Sequence, residues 1–273
     1  MGLFNMNLLK RVLAAAVLAP IVIGAALWSN PLAWTILILL AVFLALIEYA
    51  VMAFPPEELW DRMFLVTLGS FLTAFMMFYP GYAILLNIWI ILVVCIGLII
   101  FNPDPPTAGL RMGKHFVGIF AIAYLMAFAG LIKRMPDGGW WILFTLTIVW
   151  FGDTGAYFAG KTLGRHKLAP LVSPNKTWEG SIGGLFASMG AGALAMTYVP
   201  NLQWPVALML GAVIGVLGQF GDLAESLIKR TYHVKDSGNL IPGHGGVLDR
   251  IDAVLFAAPM MFLYLHVAYI HMA

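Results

Sequence analysis

The stretch PVALMLGAVIGVLGQFGDLAESLIKR, residues 205–230, decides the fold. Its first seventeen residues carry no charge, and then Asp222, Glu225, Lys229 and Arg230 arrive together. An uncharged run of that length approaches the ~20 residues that cross a bilayer core. The charges that end it would sit at one membrane face. Similar runs recur along the chain, which is 62% hydrophobic and 10% charged, with a mean hydropathy of +0.91. These values are far above those of a soluble domain and predict a polytopic all-α integral membrane protein. A β-barrel is excluded by runs that are continuous rather than alternating. The net charge of +2 is too small to point to nucleic acid as a partner. The single cysteine, Cys95, lies in an apolar run. It excludes an intramolecular disulfide and reads as a small inert hydrophobe.

Working outward, about nine spans emerge, near 12–28, 32–54, 63–79, 81–101, 115–132, 140–159, 181–199, 205–225 and 251–271. Turn residues mark several boundaries: Asn30-Pro31, Pro55-Pro56, Pro80-Gly81, Asn102-Pro103 and Pro205. Lys10-Arg11 before the first apolar run imitates a signal peptide. It reads better as a retained helix, because the charge pattern then works. With the amino terminus in the cytoplasm, thirteen of the fifteen lysines and arginines fall on inner segments, and only Lys133 and Arg134 lie outside. That is a strong positive-inside bias, and it puts the carboxyl terminus outside. The expectation is one membrane-embedded domain over 1–273. Helices within about 12–132 form a scaffold, and 140–271 carries the site. The longest segments outside the membrane, about 160–180 and 226–250, are both cytoplasmic in this reading.

Acids in membrane spans are costly and tend to face a polar cavity or a partner. Asp153 lies roughly 20 Å along the sixth span and Asp222 roughly 25 Å past Pro205, at ~1.5 Å per residue. Asp249 precedes the ninth span at the same face. If their helices pack together, these three carboxylates meet at one depth. Asp222, Glu225, Ser226 and Lys229 share one helix face by i, i+3, i+4 and i+7 spacing, although interfacial snorkelling or a structural ion pair would also explain Lys229. Carboxylates beside basic residues suit Mg²⁺ and phosphate. With no cysteine there and only His233 and His244 near, zinc is a poor fit. The chemistry suggested is phosphoryl or nucleotidyl transfer.

Two glycine-containing loops agree. Pro242-Gly243-His244-Gly245-Gly246 precedes the ninth span, where backbone N–H groups and a helix amino terminus favour anions. SPNKTWEGSIGG, residues 173–184, offers Ser173, Asn175, Lys176, Thr177 and Glu179, with Gly180, Gly183 and Gly184 opening the seventh span. It is not a Walker A loop, and Thr177 with Gly180 reads equally well as a helix start.

The pattern Ser226-x-x-Lys229-Arg230, Lys235-Asp236, Pro242-x-His244-Gly245-Gly246, Asp249-Arg250-x-Asp252 resembles the signature of the phosphatidate cytidylyltransferases, the CDP-diglyceride synthases. SPNKTWEG and Gly152-Asp153-Thr154-x-Ala156-Tyr157 also look like elements of that family. The resemblance implies that CTP and phosphatidate react to give CDP-diacylglycerol and pyrophosphate at the cytoplasmic face of the cell membrane. It implies Mg²⁺ on Asp222 and Asp249, supported by Asp153, with room for a second cation. Lys176, Lys229, Arg230, Lys235 and Arg250 would neutralise phosphate charge, and His244 would orient a phosphate. Ser173, Asn175, Lys176, Thr177, Glu179, Ser226, Arg230, Asp236, Gly245 and Gly246 would contact substrate. The partners would be membrane lipid, with a homo-oligomer open, and no nucleic acid.

Two rival readings are a transporter with an acidic ion site at the cytoplasmic edge and another lipid-phosphate transferase or kinase. No inverted repeat with paired broken helices supports the first. Asp153-Thr154-Gly155-Ala156 does not reproduce the D-G-x-x-A-R pattern of the CDP-alcohol transferases. Glu48, in the second span, is expected near the interface. Glu57, Glu58 and Asp61 are expected in a solvated loop. Trp140-Trp141 and Tyr79 with Tyr82 fit interfacial belts.

Overall fold

The computed structural model describes the backbone of residues 6–101, 104–241, 243 and 245–272, and the side chains of those between 13 and 269. Among the described residues the chain forms nine helical rods and one small hairpin. The helices are α1 (Met6–Leu27), α2 (Pro31–Ala53), α3 (Leu59–Phe78), α4 (Ala83–Phe101), α5 (Pro105–Ile132), α6 (Gly138–Leu163), α7 (Trp178–Ala195), α8 (Trp204–Thr231) and α9 (Leu248–Met272). Strands β1 (Lys167–Ala169) and β2 (Ser173–Thr177) pair antiparallel.

The rods match the nine expected runs in order, but only seven are long and apolar enough to cross a membrane: α2, α3, α4 with its leading turn, α5, α6, α8 and α9. The apolar part of α1, Leu13–Leu27, is shorter. In α7, WEGSIGGLFASMGAGALA, glycine and serine dilute the hydropathy. The expected loop before the fifth span is largely helix. α5 starts at Pro105, so Arg111 and Lys114 are helical, and Val117–Tyr124 winds as a π-helix. The all-α expectation needs one correction. Ser173–Thr177 is a strand rather than a loop, paired back onto Lys167–Ala169.

The termini show why the helices begin and end where they do. Asn30 accepts a hydrogen bond from the N–H of Leu32 (2.9 Å), with Pro31 in the first turn, where its missing N–H costs nothing. At the other end of α2, Arg62 donates to the Phe54 carbonyl (2.9 Å), satisfying an acceptor that the helix leaves open. Lys133 does the same for α1, donating to the carbonyls of Ala26 (2.5 Å) and Trp28 (2.8 Å).

Two packing groups result. One holds α2, α3 and α5, with Tyr49, Leu46, Leu65, Leu72, Ile119 and Ile122 fully buried. The other holds α6, α7 and α8. α9 packs on α8 and on the end of α5, and so joins the groups. α4 lies at the rim, mainly against α3 and α5. Within the second group α6 and α7 cross closely. A Cβ on Gly183 would collide with Ala159, and one on Gly155 would collide with Ala187. Small residues thus let two backbones approach, the usual route to helix association where lipid is as apolar as the side chains.

The solvated loop expected around Glu57, Glu58 and Asp61 holds for Glu57, which is exposed, but not for Asp61, which lies in α3. Asp61 is buried at 1% exposure. It meets Arg111 (3.3 Å) and His115 (3.0 Å), while Arg111 also holds Glu58 (2.5 Å). These charges cluster because α5 extends further than the hydropathy pattern suggested.

Candidate active site

α8 runs to Thr231, about six residues beyond the predicted end of its span, so the whole polar stripe is helical. Two linked charge clusters form around it. The first gathers Asp153 from α6, Asp222 from α8, Asp252 and Arg250 from α9, and Lys176 from β2. Lys176 pairs with Asp222 at 2.6 Å. Asp153 lies within electrostatic reach of Asp222, Lys176 and Arg250, and Asp252 within reach of Asp222, Asp153 and Arg250. The Ser226 hydroxyl sits 3.4 Å from Asp222. Asp153 is exposed, and Asp222 and Asp252 are partly so. Three carboxylates from three apolar helices therefore gather at a partly exposed polar cleft beside two described cations, Lys176 and Arg250. An open hollow of about 280 Å³ lies at the other end of α6, lined by Lys133, Asp137 and Gly138–Trp140, away from these carboxylates.

The second cluster is buried. Lys229, at 9% exposure, stands between Glu225 and Asp249. Asp249 Oδ1 accepts from Lys229 (2.5 Å). Its Oδ2 accepts from the backbone N–H groups of Ser237 (2.9 Å) and Gly246 (2.8 Å) and faces the Ser237 hydroxyl (3.0 Å). Gly245 adopts φ +82°, a conformation natural to glycine, directly over this carboxylate. Glu48 reaches the same loop from α2. It accepts from the N–H groups of Val247 and Leu248 and from Ser237 Oγ, each at 2.9 Å. Glu48, half-buried near the end of α2, is thereby a partner of the signature loop.

The structure divides the sequence-predicted residues into groups. Asp153, Asp222, Lys176 and Arg250 come together at the cleft, with Ser226 on its edge. Asp249 and Lys229 are more buried and bound to each other. Arg230 donates to the carbonyls of Val172 (3.3 Å) and Val234 (2.9 Å), latching the hairpin to α8. Thr177 caps α7 by accepting from the Gly180 N–H (3.1 Å), the helix start foreseen as an alternative. Glu179 accepts from His166 Nδ1 (2.6 Å) and from the N–H groups of Arg165 and His166. That hydrogen bonding, led by His166, holds its carboxyl down at about 2. Lys235, Asp236 and Asn175 are exposed, Ser173 is partly so, and Gly245 and Gly246 form the turn into α9. His244 and Pro242 lie outside the described residues. Sequence reasoning placed Asp252 in the signature and Glu225 on the polar face of α8 without giving either a role, favoured the interface for Glu48, and missed Ser237. Each acid was visible as a charge in an apolar run, whereas Ser237 carried no signal.

The donor set bears on a metal. Among the described residues no group of three histidine, cysteine or acidic side chains is close enough to hold an ion by itself. Mg²⁺ typically takes one or two protein carboxylates and leaves other positions to phosphate and water. Asp153, Asp222 and Asp252 are hard oxygen donors in an accessible cleft and fit that role. Both oxygens of Asp249 are already engaged by protein donors, so its recruitment requires Lys229 to yield.

Comparison with known proteins agrees with this chemistry. The sequence model of the cytidylyltransferase family matches residues 9–268. A phosphatidate cytidylyltransferase of Staphylococcus aureus (strain COL) is 45% identical over 150 residues, covering 54% of this chain and 57% of that protein. One from Brucella suis biovar 1 is 42% identical over 154 residues, 56% of this chain and 57% of its own length. The match thus spans just over half the length of these curated relatives. Since the family pattern runs through nearly all of the helical bundle and through every element that lines the cleft, the chain belongs to the cytidylyltransferase family.

Proposed function

We propose that the chain transfers a cytidylyl group from CTP to phosphatidate, releasing pyrophosphate and leaving CDP-diacylglycerol in the membrane. The observation that carries this reading is the convergence of Asp153, Asp222, Asp252, Lys176 and Arg250 at one open cleft in a member of that family. In the reaction a phosphatidate phosphate oxygen attacks the α-phosphorus of CTP. The bond from that phosphorus to the β-phosphate bridging oxygen breaks, and its electron pair leaves with pyrophosphate. No proton need be removed from a phosphate already anionic near neutral pH. The main tasks are to bring two anions in line and to neutralise developing charge.

Asp222 and Asp153 would hold Mg²⁺, with Asp252 beside them and Asp249 available once Lys229 moves. When bound, Mg²⁺ offsets triphosphate charge and polarises its oxygens. Lys176 and Arg250 stand where phosphate oxygens would meet them. Lys229 would contribute only after exchanging its carboxylate partners for substrate phosphate. Lys235, at the exposed end of the loop, would attract soluble nucleotide. Ser173, Asn175 and Ser226 would contact substrate, and Asp236, Gly245 and Gly246 would shape the loop that receives it.

In this reading all nine rods embed in the cell membrane, the amino terminus and the cleft face the cytoplasm, and the carboxyl terminus lies outside. The cleft then borders both water, which delivers CTP, and the leaflet, which delivers phosphatidate. The decisive experiment incubates purified protein with labelled CTP, phosphatidate and Mg²⁺. Labelled CDP-diacylglycerol and stoichiometric pyrophosphate are the expected products, and absence of both with folded protein would overturn the reading.

A further inference from the structure

α9 starts without a cap of its own. The residues before its first turn are Gly245, Gly246 and Val247, none of which offers a side-chain acceptor, although the opening N–H groups of a helix need one. The acceptor comes from about two hundred residues away. Glu48, on α2, takes the N–H groups of Val247 and Leu248 on separate oxygens, each at 2.9 Å. A carboxylate here also complements the positive end of the helix. These bonds offset the cost of an acid inside an apolar span.

The same carboxylate reaches the reaction centre through one intermediary. Ser237 Oγ lies 2.9 Å from Glu48 and 3.0 Å from Asp249. One hydroxyl proton therefore serves two carboxylates in a shared, three-centre arrangement. The space is tight as well. A Cβ on Gly238 would come within 2.7 Å of Glu48, and one on Gly246 would strike Glu48 and Ser237. A second contact ties α2 to the end of α8. Tyr49, the neighbour of Glu48, packs edge-on against Tyr232 at 6.3 Å and donates to the Lys114 carbonyl.

We propose that Glu48 is a positioning residue of the active site: it caps α9 from α2 and, through Ser237, fixes Asp249 and the flanking residues Ser237 and Gly246–Leu248 in the geometry that the reaction uses. The amino-terminal helices are then more than a scaffold, because one of them completes the site. This rests on the cytidylyltransferase reading for its kinetic consequence and on geometry alone for its structural one.

The test uses the full-length protein with Glu48→Gln, Glu48→Ala and, as a control, Glu57→Gln, whose side chain is exposed. Amide hydrogen exchange and steady-state kinetics are measured on each. A glutamine amide cannot accept on both sides, so exchange should accelerate at Ser237 and Gly246–Leu248 while α2 and α3 keep their protection. The kcat should fall roughly 10- to 100-fold, with the KM for CTP within about threefold, as expected when a reacting group is displaced by about an ångström rather than lost. Glu57→Gln should match the unsubstituted protein. Unchanged loop exchange would overturn the proposal, and so would protection lost throughout α2 and α3, which would make Glu48 a general bundle residue. If the unsubstituted protein makes no CDP-lipid, the cytidylyltransferase reading fails and the exchange result alone decides the positioning claim.

Discussion

At the scale of single residues, two of the three aspartates first suspected from sequence occupy different surroundings. Asp222 faces an open cleft and Lys176, whereas Asp249 is buried under donors. Replacing Asp249 with Asn should reduce CDP-lipid formation by roughly 100-fold or more, the scale of losing a fixed electrostatic group. The accompanying loss of stability should stay below the ~3–5 kcal/mol of a stranded buried charge, since Glu225 still balances Lys229. A labelled-CTP assay and thermal unfolding in detergent measure the two effects separately. Lys176→Met should weaken CTP use strongly yet change stability by no more than about 1 kcal/mol, because the pair it breaks is partly exposed. Much of this centre was legible in the sequence. Acids are scarce in apolar runs, so Asp153, Asp222 and Asp249 stood out. Glu48 stood out equally but its partner did not, because a hydrogen bond between residues about two hundred positions apart leaves no local trace.

At the scale of elements, the hairpin and α7 are held by side chains that the sequence offered for substrate. Thr177→Ala should cost about 1 kcal/mol of stability by removing the cap of α7, read as a lower unfolding midpoint. Gly183→Leu should be more damaging, because even its Cβ would collide with that of Ala159 on α6. Overpacking of this kind costs about 1–3 kcal/mol or more, and the yield of monodisperse protein checks it. Helix existence was readable from hydrophobic runs alone. Helix ends were not: α8 and α5 continue through charged residues because Lys229, Arg111 and His115 find partners on other elements. The strand pairing of Ser173–Thr177 was also hidden, since its polar sequence resembles any loop.

At the scale of the whole molecule, the charge asymmetry of the sequence leads to a topological test. Single cysteines placed in a Cys95→Ser background at Leu171 and at Asp137 should label from opposite sides of sealed vesicles, Leu171 from the cytoplasmic side. Labelling of both from one side would overturn the proposed orientation. Chelation of divalent cations should stop CDP-lipid synthesis, and added Mg²⁺ should restore it without refolding.

The rim position of α4 has its own consequence. This helix leans mainly on α3 and α5 and shows most of its isoleucines, together with Leu85, Leu92 and Trp89, to the surroundings. Its chemistry is therefore nearly interchangeable with that of the solvent it displaces. On that outward face length and greasiness are all that is asked, so an engineer can replace its exposed residues with leucine and alanine while keeping Ile90, Val94, Gly97 and Leu98, which face the bundle.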